Sequence, residues 1–247
     1  MDEGINKLKK LFDDSKNIVA FTGAGFSSES GIPTFRGVGG LWNEYDPMKY
    51  ANIKYFSDDP SYYWSFFRDV RYSIIKNAKP NAAHYALVDF ERKNKLKTVI
   101  TQNIDGLHQM AGQSKVIELH GNSREIYCID CSKVITMDEA FKILKYKLPP
   151  RCQYCDGILR PNTVFFGESL SQQKIEEAVF FTKNCDLFLA MGSSLVVTPA
   201  SFLPQIAKAA KASLVIVNID PTPIDYLADV VIHDKASKVL MHILKGS

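Results

Sequence analysis

The chain has 247 residues, of which 46% are hydrophobic, enough for one large domain or for a large domain with a small one. Its net charge is only +3, from 30 basic and 27 acidic residues, so charge does not support direct binding of nucleic acid. The apolar runs are far shorter than the ~20 residues of a membrane helix, and the charged start MDEGINKLKKLF lacks the apolar region of a secretory signal. We therefore expect a cytoplasmic protein with no membrane contact.

Strands alternate with helices along most of the chain. Helical spacing predicts a first helix over 3–16, followed by a strand over 17–22. A helix over 81–95, capped by Asn81, precedes an apolar strand that begins at Leu96. Later segments repeat the alternation, with strands predicted over 115–121, 185–194, 212–220 and 228–234 and helices over 199–211 and 236–245. This pattern predicts a Rossmann-like parallel α/β sheet with helices on both faces.

Polar residues follow five of these strands. In open parallel sheets, ligands bind beyond the carboxyl ends of the strands, and a strand that only fills a core does not need such residues. The five segments are Gly23-Ala24-Gly25, Gln102-Asn103-Ile104-Asp105, His120-Gly121, Gly192-Ser193-Ser194 and Asn218-Ile219-Asp220. The first segment begins like a dinucleotide-binding turn, but Ser28 stands where a dehydrogenase fingerprint has its third glycine.

Four of the five cysteines form two C-x2-C pairs, Cys128/Cys131 and Cys152/Cys155, with twenty residues between them. This spacing predicts one tetrahedral zinc ion, and four thiolate ligands leave no open coordination position, so the metal is structural. A disulfide framework is not expected from an odd number of cysteines in a cytosolic chain. We assign 122–160 to a zinc-binding module that folds largely through its metal, 33–80 to a loop and helical insertion, and 1–32, 81–121 and 161–247 to a Rossmann-like domain.

His120 is the strongest candidate for a catalytic group. It ends a core strand at the predicted ligand edge, where an imidazole can act as a general base. His84 and His108 lie in helix-like segments and His242 on a terminal helix, all three interpreted as structural or solvated, whereas His233 fits either role.

The other candidates each have a plainer alternative. Asn103 and Asp105 can recognise a carboxamide or sugar hydroxyls, although Asp105 can also cap the helix that follows it. The glycine-serine segment at 192–194 can offer N–H groups and hydroxyls to a phosphate, but such loops are common. Arg36 can meet a pyrophosphate or remain a solvated loop charge, and the serines at 27, 28 and 30 can be simple helix caps.

Taken together, the motifs resemble the sirtuins, the NAD-dependent protein lysine deacylases. The matching segments run in the family's order from about Ile18 to Asp220: GAGFSSESGIPTFRG, TQNIDGLH, ELHG, the two C-x2-C pairs, PNTVFFGE, GSSLVV and VNID. In that family the first turn leads into a cofactor loop, and NAD is a consumed co-substrate instead of a hydride carrier. The resemblance therefore implies that the missing third glycine points away from an oxidoreductase.

The resemblance also implies a role for individual residues. NAD would be bound by Gly23, Ala24, Gly25, Ser28, Phe35, Arg36, Gln102, Asn103, Ile104, Asp105, His120, Gly192, Ser193, Ser194, Asn218, Ile219 and Ala236. The catalytic residues would be His120, Asn103 and Asp105. An acetylated protein would bind as an extended peptide, by strand addition, at Val164, Phe166, Gly167, Glu168, Leu195 and Val196.

The implied reaction begins when the amide oxygen of acetyl-lysine attacks C1′ of the nicotinamide ribose. Nicotinamide leaves, His120 activates a ribose hydroxyl as general base, and water releases lysine and O-acetyl-ADP-ribose. Thr34 and Phe26 depart from the usual family residues without affecting this chemistry. Family members that remove succinyl or malonyl groups carry a Tyr-x-x-Arg pair, and the stretch YYWSFFRDVRYS has none. We therefore expect acetyl or longer neutral acyl groups as substrates.

Two other functions remain open from the sequence. One is a mono-ADP-ribosyltransferase that uses the same NAD site, and the other is a non-catalytic module that binds NAD or ADP-ribose. We expect a monomer whose partners are acetylated proteins.

Overall fold

The computed structural model describes residues 2–37 and 39–245. A six-stranded sheet has the order β3-β2-β1-β7-β8-β9, with every neighbouring pair parallel. A smaller antiparallel sheet has the order β5-β4-β6. The strands are β1 (Ile18–Thr22), β2 (Leu96–Thr101), β3 (Val116–Glu118), β4 (Gly121–Cys128), β5 (Val134–Thr136), β6 (Leu159–Thr163), β7 (Leu187–Met191), β8 (Ser213–Val217) and β9 (Val230–Ile232).

The helices connect and cover these strands. The α-helices are α1 (Asp2–Asp14), α2 (Pro47–Tyr50), α3 (Ile53–Asp58), α4 (Ser61–Phe66), α5 (Tyr72–Asn77), α6 (Ala82–Arg92), α7 (Leu107–Ala111), α8 (Met137–Leu144), α9 (Gln172–Lys183), α10 (Leu203–Ala209) and α11 (Ala236–Lys245). Phe67–Arg71 forms a π-helical turn between α4 and α5. Short 3-10 helices lie at Ala24–Ser30, Leu41–Asn43, Ala200–Phe202 and Asp225–Leu227.

The central strands β1 and β7 are buried along their whole length because helices cover both faces of the sheet. Helices α1, α6 and α11 pack their apolar residues on one face, and α9 and α10 pack on the other. The predicted parallel α/β sheet is confirmed. The strand order reverses between β1 and β7, and such a switch point opens a crevice at the carboxyl ends of the strands.

The small sheet shares its hydrophobic core with the segment between β1 and α6. Trp64 of α4 is completely buried, and its indole N–H donates a hydrogen bond to the carbonyl of Leu159 on β6. Phe56 and Phe67 pack in the same cluster as Ile126 of β4. The predicted zinc-binding module therefore shares its hydrophobic core with the helical insertion. The small sheet runs from Gly121, where β4 begins, to Thr163, where β6 ends. The predicted domain boundaries, including 122–160 for the zinc-binding module, stay predictions.

The third strand of the large sheet ends at Glu118, earlier than the predicted range 115–121, and Gly121 begins β4. Its φ of +73° and the carbonyl of Asn162, which would lie 2.0 Å from an added Cβ, both require glycine. The chain therefore turns after His120 and enters the small sheet. In the part of the chain that the structure describes, no helix is long and apolar enough to cross a membrane.

Candidate active site

A cavity of about 490 Å³ lies at the carboxyl ends of the large sheet, between it and the small sheet. Most of the residues predicted to bind NAD or peptide line it, although they come from segments far apart in the chain. They are Gly23, Ala24, Gly25, Phe35, Arg36, Gln102, Asn103, Ile104, His120, Val164, Phe166, Gly167, Glu168, Gly192, Ser193, Ser194 and Asn218. The structure thus brings the polar strand ends together around one crevice.

The glycines after β1 and β7 allow two backbone turns to touch. The N–H of Gly25 donates a hydrogen bond to the carbonyl of Gly192 at 2.8 Å. A Cβ on Gly192 would lie 2.2 Å from the nitrogen of Phe26, and a Cβ on Gly23 would lie 2.7 Å from the Gly192 carbonyl oxygen. Gly192 also has a φ of +61°, a conformation that favours glycine. Side chains at these positions would force the two turns apart.

The His120 side chain has a defined tautomer. Its Nδ1 lies 3.0 Å from the backbone carbonyl of Gln102, and because a carbonyl can only accept, Nδ1 carries the proton. In a neutral ring the lone pair is then on Nε2. Burial lowers the pKa of His120 from its ordinary value, and the hydrogen bond to Gln102 opposes that shift. His120 is therefore suited to accept a proton through Nε2 near neutral pH.

Asn103 and Asp105 are held by Ser27, a residue interpreted from the sequence only as a possible cap. The Ser27 hydroxyl donates to Asp105 at 2.8 Å, and the Asn103 amide donates to Ser27 at 3.1 Å and to the carbonyl of Gly23 at 3.0 Å. Asp105 also accepts from the N–H of Leu107 at 2.9 Å, but the N-cap of α7 is Gly106, so Asp105 is not the cap residue of that helix. Burial raises the pKa of Asp105, while Leu107, Ser27 and Arg71 lower it.

Gln102 links two strand ends across the cavity, because its side-chain amide donates to the Ser193 hydroxyl at 2.8 Å. A second cavity of about 550 Å³ adjoins the first beside β8. It is lined by the remaining residues predicted to meet the phosphates and adenosine, namely Ser28, Ile219 and Ala236, together with Asn218 and Arg36.

Three predicted site residues lie elsewhere. Asp105 is 8% exposed and lies behind the cavity surface that Asn103 and Ile104 form. Leu195 is 5% exposed and packs in the core under the sheet, and Val196 is exposed outside both cavities. Val197 and Thr198, the next two residues, line the first cavity instead. Leu195 has a positive φ of 55°.

The segment at 164–168 forms the other side of the crevice. Val164 N–H donates to the carbonyl of His120 at 2.9 Å, which ties this segment to the candidate base. Phe166 bridges to Asn52 in parallel fashion, and the Glu168 carboxylate accepts from the N–H of Phe165 and pairs with Arg160. Extended backbone therefore runs along the edge of the cavity.

The sequence profile of the Sir2 family matches residues 23–199, the stretch that contributes most of the cavity. This chain belongs to the Sir2 family. An NAD-dependent protein deacylase 2 from Archaeoglobus fulgidus is 45% identical over 99% of this chain and 96% of the relative. An NAD-dependent protein deacetylase from Sulfurisphaera tokodaii is 45% identical over 95% of this chain and 92% of the relative.

Solved Sir2 structures share the whole fold. A Sir2 protein bound to an acetylated peptide superposes with a TM-score of 0.91 at 37% identity, covering 98% of both chains. A complex of Sir2 with a p53 peptide and NAD+ has the same TM-score at 38% identity and the same coverage. The sequence-based assignment to this family is confirmed.

The four paired cysteines of this Sir2-family chain form a cluster that fits a zinc ion. Their Sγ atoms all lie within 4.8 Å of one another, with 3.4 Å between Cys128 and Cys155 and 3.7 Å between Cys131 and Cys152. Tetrahedral zinc with Zn–S bonds of about 2.3 Å separates its sulfurs by about 3.8 Å. The residues following the second cysteine of each pair, Ser132 and Asp156, both have a left-handed φ. Two matching turns thus present the four thiols, and the donor set fits zinc.

The remaining four histidines lie away from both cavities. His84 and His108 are buried, with ring centroids 4.8 Å apart. Burial lowers the pKa of His84 to about 4 and that of His108 well below its ordinary value. His233 donates through Nδ1 to the carbonyl of Asn218 at 3.1 Å, and His242 donates to the carbonyl of Lys238. None of these four histidines lines either cavity.

Residues of the helical insertion also line the active-site cavity, and sequence reasoning missed them. They are Trp42, Tyr50, Tyr63, Phe66, Phe67, Arg71 and Ile75. The aromatic richness of this stretch was the available signal, but residue type alone did not show which side chains face the crevice.

Proposed function

We propose that this chain is an NAD-dependent protein deacylase that removes acetyl groups from lysine side chains and consumes one NAD for each. The observation that carries the proposal is the placement of His120, whose Nδ1 is committed to the Gln102 carbonyl, at the cavity where the strand-end glycines and Asn103 also meet. The names of the relatives, deacetylase and deacylase, agree with it.

The strand-end turns and the cavity beside β8 would bind NAD. Gly25 and Gly192 line the cavity, and Ser193, Ser194 and Arg36 would offer hydroxyls and a charge to the pyrophosphate there. The nicotinamide ring would lie near Asn103 and Ile104, with Asp105 acting from behind the surface. Ser28, Ile219 and Ala236 would contact the adenosine part.

The acyl-lysine would enter between the segments at 164–168 and 194–198 as part of an extended peptide, by strand addition. Its carbonyl oxygen attacks C1′ of the ribose, and the bond from C1′ to nicotinamide breaks with its electron pair leaving on nicotinamide. His120 Nε2 takes a proton from a ribose hydroxyl, whose oxygen attacks the former carbonyl carbon. One water completes the balance, giving lysine, nicotinamide and O-acetyl-ADP-ribose.

Zinc held by the four cysteines would stabilise the small sheet without taking part in the reaction, because four thiolates leave no open coordination position. A monomeric state, a cytoplasmic location and the absence of nucleic-acid binding stay predictions from the sequence.

The test is nicotinamide release from NAD with and without an acetyl-lysine peptide, in the wild type and in His120→Ala. The proposal predicts release that depends on the peptide and is lost in the variant, while zinc content and the unfolding transition persist. Release of nicotinamide with ADP-ribose transfer to protein and no deacetylated peptide would support the ADP-ribosyltransferase alternative instead.

A further inference from the structure

A network of buried hydrogen bonds lies behind the wall of the active-site cavity. It joins Thr22 at the end of β1, Thr101 at the end of β2 and His108 of α7. The Thr22 Oγ1 lies 2.9 Å from His108 Nε2, and the Thr22 hydroxyl donates to Thr101 Oγ1 at 2.8 Å. All three residues are 2% exposed or less, and none of them lines either cavity. Their polar atoms therefore bond to one another and not to a ligand.

The network ends at Asn103, which does line the cavity. The backbone N–H of Asn103 donates to Thr101 Oγ1 at 3.0 Å. Its side-chain amide gives one hydrogen to the carbonyl of Gly23 at 3.0 Å and the other to the Ser27 hydroxyl at 3.1 Å. Because both amide hydrogens are used, the side-chain carbonyl oxygen is the atom that can accept a hydrogen bond from a ligand. The position of that oxygen depends on the Asn103 backbone, and therefore on Thr101.

The direction of these hydrogen bonds determines the tautomer of His108. A hydroxyl has one hydrogen, and that of Thr22 is donated to Thr101. The ring must therefore be the donor to the Thr22 oxygen, so His108 carries its proton on Nε2, the opposite of His120. Burial, with the neighbouring His84, lowers the pKa of His108 well below its ordinary value. The ring therefore stays neutral, and Nε2 keeps the role of donor.

His84 extends the network away from the cavity. Its Nδ1 accepts from the N–H of Asn81 at 3.3 Å, so its proton is on Nε2. In the described part of the chain neither Nε2 of His84 nor Nδ1 of His108 has a hydrogen-bond partner, and the two ring centroids are 4.8 Å apart. A proton on Nδ1 of His108 would leave two unpartnered N–H donors on adjacent buried rings, which is unfavourable. His84 therefore favours the tautomer of His108 that donates to Thr22.

We propose that His108 is a positioning residue for Asn103 and acts through the hydroxyls of Thr22 and Thr101. His108 donates to Thr22, whose hydroxyl is thereby directed to Thr101, and the Thr101 oxygen holds the N–H of Asn103 at the cavity wall. This inference rests on the proposed function, in which Asn103 lies beside the nicotinamide ring. It assigns a role in the reaction to a histidine that lies outside both cavities.

The first experiment determines the tautomer of His108 in the intact wild-type chain, by NMR of isotope-labelled ring nitrogens. We expect the proton on Nε2 of His108 and on Nδ1 of His120 at about pH 7. Thr22→Val should shift the Nε2 signal of His108 and leave the signals of His120 in place. A proton on Nδ1 of His108 would overturn the proposal, because Thr22 would then donate to the ring and not to Thr101.

The second experiment is a double-mutant cycle on the rate of nicotinamide release, with NAD and an acetylated peptide at saturating concentrations. The first turnover is followed, so that slow variants remain measurable. Thr22→Val keeps the shape of the side chain but removes its hydroxyl, and it should slow release about tenfold, the size of one buried hydrogen bond. In the Asn103→Ala background the same change should slow release less than about twofold, because the side chain that it positions is absent. An equal effect in both backgrounds, or no effect in the wild type, would overturn the proposal.

Further variants separate positioning from a loss of packing. Thr22→Ser keeps the hydroxyl and should restore most of the rate. Thr98→Val is the matched control, because Thr98 is also fully buried, lies on β2 and donates its hydroxyl to the carbonyl of Lys115, outside the network. It should leave the rate unchanged, and slowing equal to that of Thr22→Val would overturn the proposal. His108→Leu should slow release as Thr22→Val does; if it does not fold, the tautomer and the cycle decide.

Failure of this inference and failure of the proposed function give different results. A wild-type chain that releases no nicotinamide with the acetylated peptide would disprove the deacylase activity, and the same cycle would then be measured on NAD affinity. A chain that deacetylates, but in which Thr22→Val has equal effects in both backgrounds, would keep the proposed function and exclude the positioning role of His108.

Discussion

The Nδ1 atom of His120 donates a hydrogen bond to the backbone carbonyl of Gln102 across 3.0 Å, joining the end of the third strand to the end of the second. Because the acceptor is a backbone atom, no side-chain substitution at Gln102 removes it directly. The bond leaves Nε2 as the basic atom of the neutral ring. The tautomer of His120 therefore depends on the relative positions of the chain segments that follow β2 and β3.

The pH profile should therefore reflect a histidine with a lowered pKa. Burial pushes the pKa of His120 below about 6.5, so the active, neutral ring persists to lower pH than an exposed histidine would. We expect the acid limb of kcat/KM for the acetylated peptide to be centred below that value. An acid limb centred above about 6.5 would contradict the assignment of His120 as the buried base.

Gly192→Ala should weaken NAD binding more than it affects the rest of the fold. The added Cβ would lie 2.2 Å from the nitrogen of Phe26, so the turns after β1 and β7 must separate. Gly112→Ala is the matched control, because Gly112 also has a positive φ, +102°, but no atom lies within 4 Å of its Cβ position. We expect the KM for NAD to rise about tenfold or more in Gly192→Ala, because separating the turns would remove one or two charge-assisted hydrogen bonds to the phosphates. Equal effects of the two variants would show that backbone strain, not the contact between the turns, is responsible.

The zinc site predicts one bound ion per chain and a loss of stability without it. Cys155→Ser should abolish stoichiometric zinc and lower the unfolding temperature, because the small sheet and the aromatic insertion share one core. Cys185→Ala is the control, since this buried thiol lies apart from the other four. Metal analysis with thermal unfolding checks both variants, and full zinc content in Cys155→Ser would refute the four-cysteine site.

Stability should fall in mild acid because of the buried histidines. His84 has a pKa of about 4 in the folded chain and about 6.5 when unfolded, so only the unfolded state binds a proton between these values. This contribution is fully present above about 6.5 and is lost as pH falls toward 4, by up to about 3 kcal/mol. His84→Gln should reduce the pH dependence measured by denaturant unfolding, and His242→Gln, at an exposed position, should not. The same slope in wild type and His84→Gln would argue against a neutral buried ring.

The sequence predicted the parallel sheet, the strand-end residues and the cysteine cluster because each depends on local pattern. Apolar runs identify the buried strands β1 and β7. The two C-x2-C pairs identify four metal ligands without knowledge of the fold. Contacts between distant segments were not predictable in the same way. The bond from Ser27 to Asp105 joins residues 78 positions apart, and the burial of Leu195 depends on its packing with residues of several other segments.

The helical insertion was the least predictable part. Its residues are apolar and aromatic on several sides, so periodicity could not show which of them face the cavity, and the π-helical turn at Phe67–Arg71 changes the spacing further. Tyr63 and Arg71 both line the cavity, although no short motif connects them.

The most direct test of the central claim is the ratio of nicotinamide released to lysine freed when the wild-type chain acts on an acetylated peptide with NAD. Cleavage of the bond between ribose and nicotinamide is predicted to be coupled to acyl transfer, so the two products should form in equal amounts together with O-acetyl-ADP-ribose. Removal of the acetyl group without NAD, or nicotinamide release at the same rate without peptide, would contradict it.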